Sequence, residues 1–157
     1  MIAVTDPSPA SPPVGSVPLT TEGGVHEFTQ LAELCEALAR RLGDWSTDGT
    51  DPSSAGTMSS LSARLAEHAE WWRDRIPESE LLQGTREEAS DPTRLDAVLA
   101  MLDVAPPSRF AAVALVLNGL IAHLVGLAGR LSLVGDAPAR RVVRLVLADL
   151  EDRPHSR

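Results

Sequence analysis

Apolar residues recur along most of the chain at alternating spacings of three and four, which places them on one face of an α-helix. One such stripe, over residues 25–45, consists of Phe28, Leu31, Cys35, Leu38, Leu42 and Trp45. Another, over residues 59–76, consists of Leu61, Leu65, His68, Trp72 and Ile76 and stops before Pro77. The stripes predict two amphipathic helices, joined by a loop over residues 46–57 that is rich in Ser, Gly and Asp.

The most apolar stretch of the chain covers residues 108–131. Between Arg109 and Arg130 only Asn118 and His123 have polar side chains, so a helix here has no face suited to water. We expect this helix to be capped by Ser108, to be buried on all sides and to have the other helices packed around it. It is long enough to cross a bilayer, but its central polar residues, its glycines and its lack of flanking aromatic residues argue against a membrane span.

Start and stop signals predict the remaining elements. Asp91 before Pro92 indicates the start of a short helix that ends at residues 106–107, and residues 78–84 read as one further helical turn. The last helix begins where Gly135 closes the preceding helix and Asp136 caps the next, and it ends near Pro154. Residues 1–24 are rich in Pro, Ser and Thr and read as a disordered tail. We therefore predict an all-α protein, with an antiparallel four-helix bundle and one or two extra short helices in a single domain over residues 25–153.

Composition narrows the chemistry. All the basic residues are arginines, so mechanisms that need a lysine are excluded. Cys35 is the only cysteine, so no intrachain disulfide or iron–sulfur cluster forms, and we expect it to be a small buried residue. The net charge of −8 argues against nucleic acid and anionic membranes as partners. The first residues lack the pattern of a signal peptide, and we expect a cytoplasmic protein.

Two histidines are the candidate catalytic residues, because His68 and His123 each interrupt an apolar stripe. Facing helices would bring the two imidazoles together as an acid/base pair. The alternative is that each histidine donates a hydrogen bond to a neighbour and only packs.

The candidate substrate-binding residues are Glu67, Trp71, Trp72, Asn118 and Arg144. Adjacent tryptophans cannot both face one core, so one of the pair points to a flank, where it lines a pocket or packs against a partner subunit. Arg144 either faces an acidic ligand or belongs to solvated ion pairs on the last helix.

The runs LAEHAEWWRDRIPESELL and HLVGLAGRLSLVGDAPARRVVRLVLADLED resemble proteins of the ferritin-like four-helix-bundle class, over residues 59–152. That resemblance implies a di-metal centre built from a Glu on each of two helices and a Glu-x-x-His on each of the other two. This chain departs from the pattern, because Glu70 stands three residues after Glu67 where a histidine is needed. His155 has the right spacing from Asp152, but Pro154 breaks the helix between them. We therefore expect no metal and no cofactor, with a mononuclear site of His68, His123 and Glu67 or Asp149 as the alternative.

Three functions follow as hypotheses. The first is a metal-independent bundle that binds a small organic molecule and performs an isomerisation, cyclisation or elimination in specialised metabolism, with His68 and His123 as acid and base. The second is a non-catalytic homodimeric scaffold, in which the small residues of the apolar helix form the subunit interface. The third is a metal-dependent ferritin-like oxygenase.

Overall fold

The computed structural model describes residues 16–152, which contain six α-helices and no strand. The helices are α1 (Thr21–Thr47), α2 (Pro52–Arg73), α3 (Gln83–Glu87), α4 (Pro92–Ala100), α5 (Arg109–Arg130) and α6 (Ala137–Glu151). Two 3₁₀ turns, Glu80–Leu82 and Pro106–Ser108, precede α3 and α5. The prediction of an all-α protein is confirmed.

The first helix begins four residues before the expected start at residue 25. Thr20 is its N-cap, and the Thr20 hydroxyl accepts a hydrogen bond from the Gly23 N–H. Just before the cap, the Leu19 N–H donates to the Arg130 carbonyl at 3.0 Å and ties this segment to the end of α5. Residues 16–24 therefore belong to the folded domain rather than to a tail. Residues 1–15 and the predicted end of the domain at residue 153 lie outside the described residues.

The prediction of a loop over residues 46–57 is wrong for most of that range. Only residues 48–51 separate α1 from α2, and the other residues of the range are helical. Asp51 caps α2 by accepting from the Ser53 N–H at 3.1 Å, and Pro52 occupies the first turn. This is the Asp-Pro start signal that also begins α4, where the Asp91 carboxylate accepts from the Arg94 N–H as predicted. The short loop makes α1 and α2 an antiparallel hairpin.

A long connection over residues 74–108 joins α2 to α5 and contains only short elements. The single turn predicted at residues 78–84 is a 3₁₀ turn that continues into α3, so the helical segment runs past Gly84 to Glu87.

A second hairpin consists of α5 and α6, and α5 runs antiparallel to α1. Arg109, at the start of α5, forms a 2.8 Å salt bridge with Asp48 at the end of α1, while Arg130 at the other end meets Leu19. Ser108 and Asp136 occupy the predicted N-cap positions of α5 and α6, but neither side chain makes a capping bond. The Asp136 carboxylate instead accepts from the Ser132 N–H at 2.7 Å.

The helix packed on most sides is α1 rather than α5. The predicted stripe of α1 is confirmed, since Phe28, Leu31, Cys35, Leu38 and Leu42 are all buried. Other sides of α1 face α2, α3 and α4, and its residues form one hydrophobic core with α2, α5 and α6.

The expectation that α5 is buried on all sides is wrong. Its core-facing residues are Val113, Val116, Leu117, Leu120, Leu124 and Leu127. The opposite side is exposed to solvent, and it includes Leu115 at 61% and Val125 at 58%. One helix, Pro106–Arg130, is long and apolar enough to cross a membrane, with a mean hydropathy of 2.1 in a window that is 33% buried. Within residues 16–152, α5 is thus an apolar helix that the other helices cover on one side.

Candidate functional site

A cavity of about 190 Å³ lies between α1, α4 and α5. Its walls are mainly apolar and consist of Leu31, Leu34, Leu95, Val98, Met101, Leu115, Val116, Gly119 and Leu120. Polar side chains are also present, namely Glu27, Gln30, Glu33, Asp91, Arg94 and His123. A concave, mostly apolar space with a few polar groups is the common form of a small-molecule site.

One polar pair in this wall links two helices. The Nε2 atom of His123 on α5 is hydrogen-bonded to the Oε1 atom of Glu27 on α1. The Glu27 side chain is mostly buried, and the His123 side chain is about one-third exposed. The hydrogen bond with His123 lowers the pKa of the Glu27 carboxyl below its ordinary value of 4.5, and this outweighs the opposing effect of burial. Glu27 is therefore an ionised carboxylate that orients the imidazole.

A second set of polar contacts fixes the entrance of α4 against α1. The Gln30 amide donates to the Ala89 carbonyl at 3.0 Å, and the Arg94 guanidinium donates to the Gln30 amide oxygen at 3.4 Å. Ser90 is hydrogen-bonded to Glu33 one turn further along α1. These bonds hold one wall of the cavity in place without filling the cavity.

The other predicted catalytic residue, His68, lies in a different environment. It is fully buried on α2, and its Nε2 atom is 2.9 Å from the Asp149 carboxylate on α6. Its Nδ1 atom has no hydrogen-bond partner in the described residues. Burial lowers the pKa of His68 below its ordinary value of 6.5, although Asp149 acts in the opposite direction. His68 is thus held neutral in the core.

The structure does not join the two histidines. His68 pairs with Asp149 between α2 and α6, whereas His123 pairs with Glu27 between α1 and α5. Only His123 lines the cavity. The apolar stripes correctly predicted that both histidines lie on helices. In the structure, however, His68 faces α6 and His123 faces α1.

The five predicted substrate-binding residues also lie away from the cavity. Trp72 is fully buried and stacks on Phe28, with ring centroids 6.0 Å apart, while Trp71 lies at the flank, 5.2 Å from the His68 ring. One tryptophan thus faces the core and the other does not, as predicted. Glu67 and Arg144 are exposed on α2 and α6, and Asn118 is exposed on α5.

Sequence reasoning missed Glu27 and the residues near it. Glu27, Gln30 and Leu34 recur at helical spacing beside the main stripe of α1, and Leu34 is an apolar residue outside that stripe. This second row of residues at helical spacing indicates that α1 has neighbours on more than one side.

Within residues 16–152 no group of three or more His, Cys, Asp or Glu side chains is placed to hold a metal ion. The alternative mononuclear site has no ligand group there, because its two histidines pair with different carboxylates. His155 lies outside the described residues.

Comparison with protein families, with curated proteins and with solved structures finds no match for the chain.

Proposed function

We propose that the chain binds a small, mainly apolar organic molecule in the cavity between α1, α4 and α5, and that His123 with Glu27 transfers protons to and from it. The observation that carries this proposal is that an oriented histidine–carboxylate pair lies in the wall of an apolar cavity. His68 has no place in this proposal as a catalytic residue, since its position supports a role in packing.

The volume of the cavity indicates the size of the molecule. A dry apolar cavity of about 150 Å³ holds benzene. A cavity of about 190 Å³ therefore suits a molecule with one ring, a small bicyclic compound or a short branched chain.

The chemistry follows from the pair itself. When the Nε2–H of a neutral His123 donates to Glu27, its second ring nitrogen has a free lone pair and acts as a base. Once protonated, the imidazolium is stabilised by the Glu27 carboxylate and returns the proton at another position of the substrate. A base and an acid in one group suit an isomerisation, an elimination or a cyclisation, and none of these needs a redox cofactor.

The four longer helices, paired as two antiparallel hairpins, support our further proposal of a ferritin-like architecture.

Binding is tested by NMR with indole as the probe. Titration into ¹⁵N-labelled protein should shift backbone amide signals of α1, α4 and α5 around the cavity. Val98→Phe should abolish these shifts, because the larger ring occupies the cavity. Val142→Phe is the matched control, since Val142 is also partly buried against the core but lies on α6, away from the cavity.

Proton transfer is tested with 5-nitrobenzisoxazole. A base removes its C–H proton while the N–O bond breaks, and the ring opens to a single product, a nitrophenolate that carries a nitrile group. Turnover should be lost in His123→Ala and reduced in Glu27→Gln, and it should be retained in His68→Leu. Binding of indole without this turnover would contradict the acid/base role. Absence of both would favour the non-catalytic scaffold.

A further inference from the structure

The exposed side of α5, which we call the outer face, is mainly apolar, with the exposed polar residue Asn118 near its middle. It includes Phe110, Leu115, Gly119, Ala122, Val125 and Gly126, and it contains no charged residue. Soluble monomers rarely leave a continuous apolar surface of this length uncovered. Two residues of this face are glycines whose small size has no explanation in the packing of the described helices. A Cβ atom added at Gly119 or Gly126 would meet no atom within 4 Å, so packing among residues 16–152 does not explain why these residues are small.

Bulky and small residues both occur along the outer face. Its N-terminal half contains the bulky Phe110 and Leu115 beside Ala111 and Ala114, and its C-terminal half contains Gly126 and Gly129 beside Val125. An antiparallel pairing of two α5 helices about a twofold axis between Gly119 and Ala122 places Leu115 of each copy opposite Gly126 of the other. The same pairing brings Phe110 close to Gly129 of the other copy. In this arrangement two bulky residues of each copy lie near glycines of the other, in the reciprocal way that an isologous interface requires.

We propose that the outer face of α5 is the interface of an antiparallel homodimer. At about 1.5 Å per residue, α5 provides a contact about 33 Å long. A stable dimer needs about 800 Å² from each partner, more than one helix face supplies. Exposed apolar residues also flank α5, with Met101 and Val104 before it and Leu133 and Val134 after it, and in the proposed dimer they add to the contact. In the antiparallel pair, the segment after α5 of one copy meets the segment before α5 of the other.

The dimer also bears on the cavity. Leu115 and Gly119 both line the cavity and lie on the outer face, so the cavity opens to solvent beside the interface. A second copy on this face covers that opening and removes it from water. This part of the inference rests on the proposed function, whereas the dimer itself does not.

A lipid surface fits the same face less well. Insertion of α5 into a bilayer would remove its six core residues from contact with α1, α2 and α6. Docking on anionic lipid would bring a chain of net charge −8 against a negative surface.

The experiment measures the oligomeric state of the full chain by sedimentation velocity over a range of concentrations. The wild type should be a dimer. Ala122→Glu should weaken the dimer by about 100-fold or more, because it brings like charges together near the axis. Ala66→Glu is the matched control, since Ala66 is an exposed alanine on α2, and it should leave the dimer unchanged. Circular dichroism establishes that both variants are folded.

Orientation is tested with introduced cysteines, because Cys35 is buried and does not interfere. A mixture of Ala111→Cys and Gly129→Cys protein should form a disulfide between the two variants on mild oxidation, and neither variant alone should. Self-linking of Ala111→Cys would overturn the antiparallel arrangement.

A wild-type monomer would overturn the dimer, and so would a monomer that floats with vesicles of phosphatidylcholine and phosphatidylglycerol. Indole binding by that monomer would leave the proposed function standing, so the two failures are distinguishable.

Discussion

Replacing His68 with leucine should stabilise the protein, although it removes a buried hydrogen bond. His68 is fully buried, its Nδ1 atom has no partner in the described residues, and its Nε2 atom pairs with Asp149. Leucine has nearly the same volume as histidine and no polar atom, so it fits the site without leaving a cavity.

The magnitude follows from two opposing contributions. Removing a buried polar atom that lacks a partner gains about 1–3 kcal/mol, and losing the hydrogen bond to Asp149 costs about 0.5–1.5 kcal/mol. Asp149 is 37% exposed, so water replaces His68 as its partner at little cost. The net effect is a gain of about 1 kcal/mol, which corresponds to a rise in Tm of about 3 °C for a chain of this length.

The pH dependence of stability should change with the same substitution. Because burial lowers the pKa of His68 in the folded state, the unfolded chain binds the proton more readily. The wild type therefore loses stability as the pH falls below the ordinary value of 6.5 toward the lower pKa of the folded state. His68→Leu lacks this loss, so its advantage over the wild type should grow in that window.

The assay is thermal and urea unfolding followed by circular dichroism, at neutral pH and again at mildly acidic pH. Asp149→Ala is the companion variant, and it should cost about 1–3 kcal/mol because it leaves both nitrogens of His68 without a protein partner. A loss of stability in His68→Leu, with little effect of Asp149→Ala, would refute the reasoning. Loss of indole binding in a stable His68→Leu protein would refute the assignment of His68 to packing.

Four further predictions concern single positions. Asp51→Ala should destabilise the protein by about 0.5–2 kcal/mol in urea unfolding, because α2 loses its N-cap. Gly56→Ala should stabilise it by about 0.5–1 kcal/mol in the same assay, because its Cβ would lie in open space on a helix. Gly43→Ala should gain less or lose stability, because its Cβ would come within 3.2 Å of the Ser62 hydroxyl. Burial raises the pKa of the Cys35 thiol to about 12, so a thiol reagent such as 5,5′-dithiobis(2-nitrobenzoic acid) should label it only at the rate of unfolding, and fast labelling of the native protein would contradict this burial.

Local signals account for most of the helices. The spacing of Phe28, Leu31 and Cys35 was enough to predict the buried face of α1, and Asp91 with Pro92 was enough to predict the start of α4, because both depend on near neighbours in the chain. The boundary error at the start of α2 arose because the polar residues after Asp51 were read as loop, although the Asp-Pro signal was present.

Hydrophobicity alone led to the wrong central helix. Both the buried face and the exposed face of α5 are apolar, so composition does not reveal how many neighbouring helices cover it. By contrast, α1 carries charged residues and is nevertheless surrounded, because Glu27 and Glu36 have partners on other helices, His123 and Arg73.

The sequence by itself determined that this protein is helical, which stripes of α1 and α2 face the core, and that His68 and His123 lie on helices. Only the tertiary structure decided that the two histidines pair with different carboxylates, that the cavity forms beside His123, and that one side of α5 is left exposed by the rest of residues 16–152. The physical reason is that helix formation and amphipathicity depend on residues three and four positions apart. The pairing of Glu27 with His123 instead joins positions 96 apart in the chain, which depends on how whole helices pack.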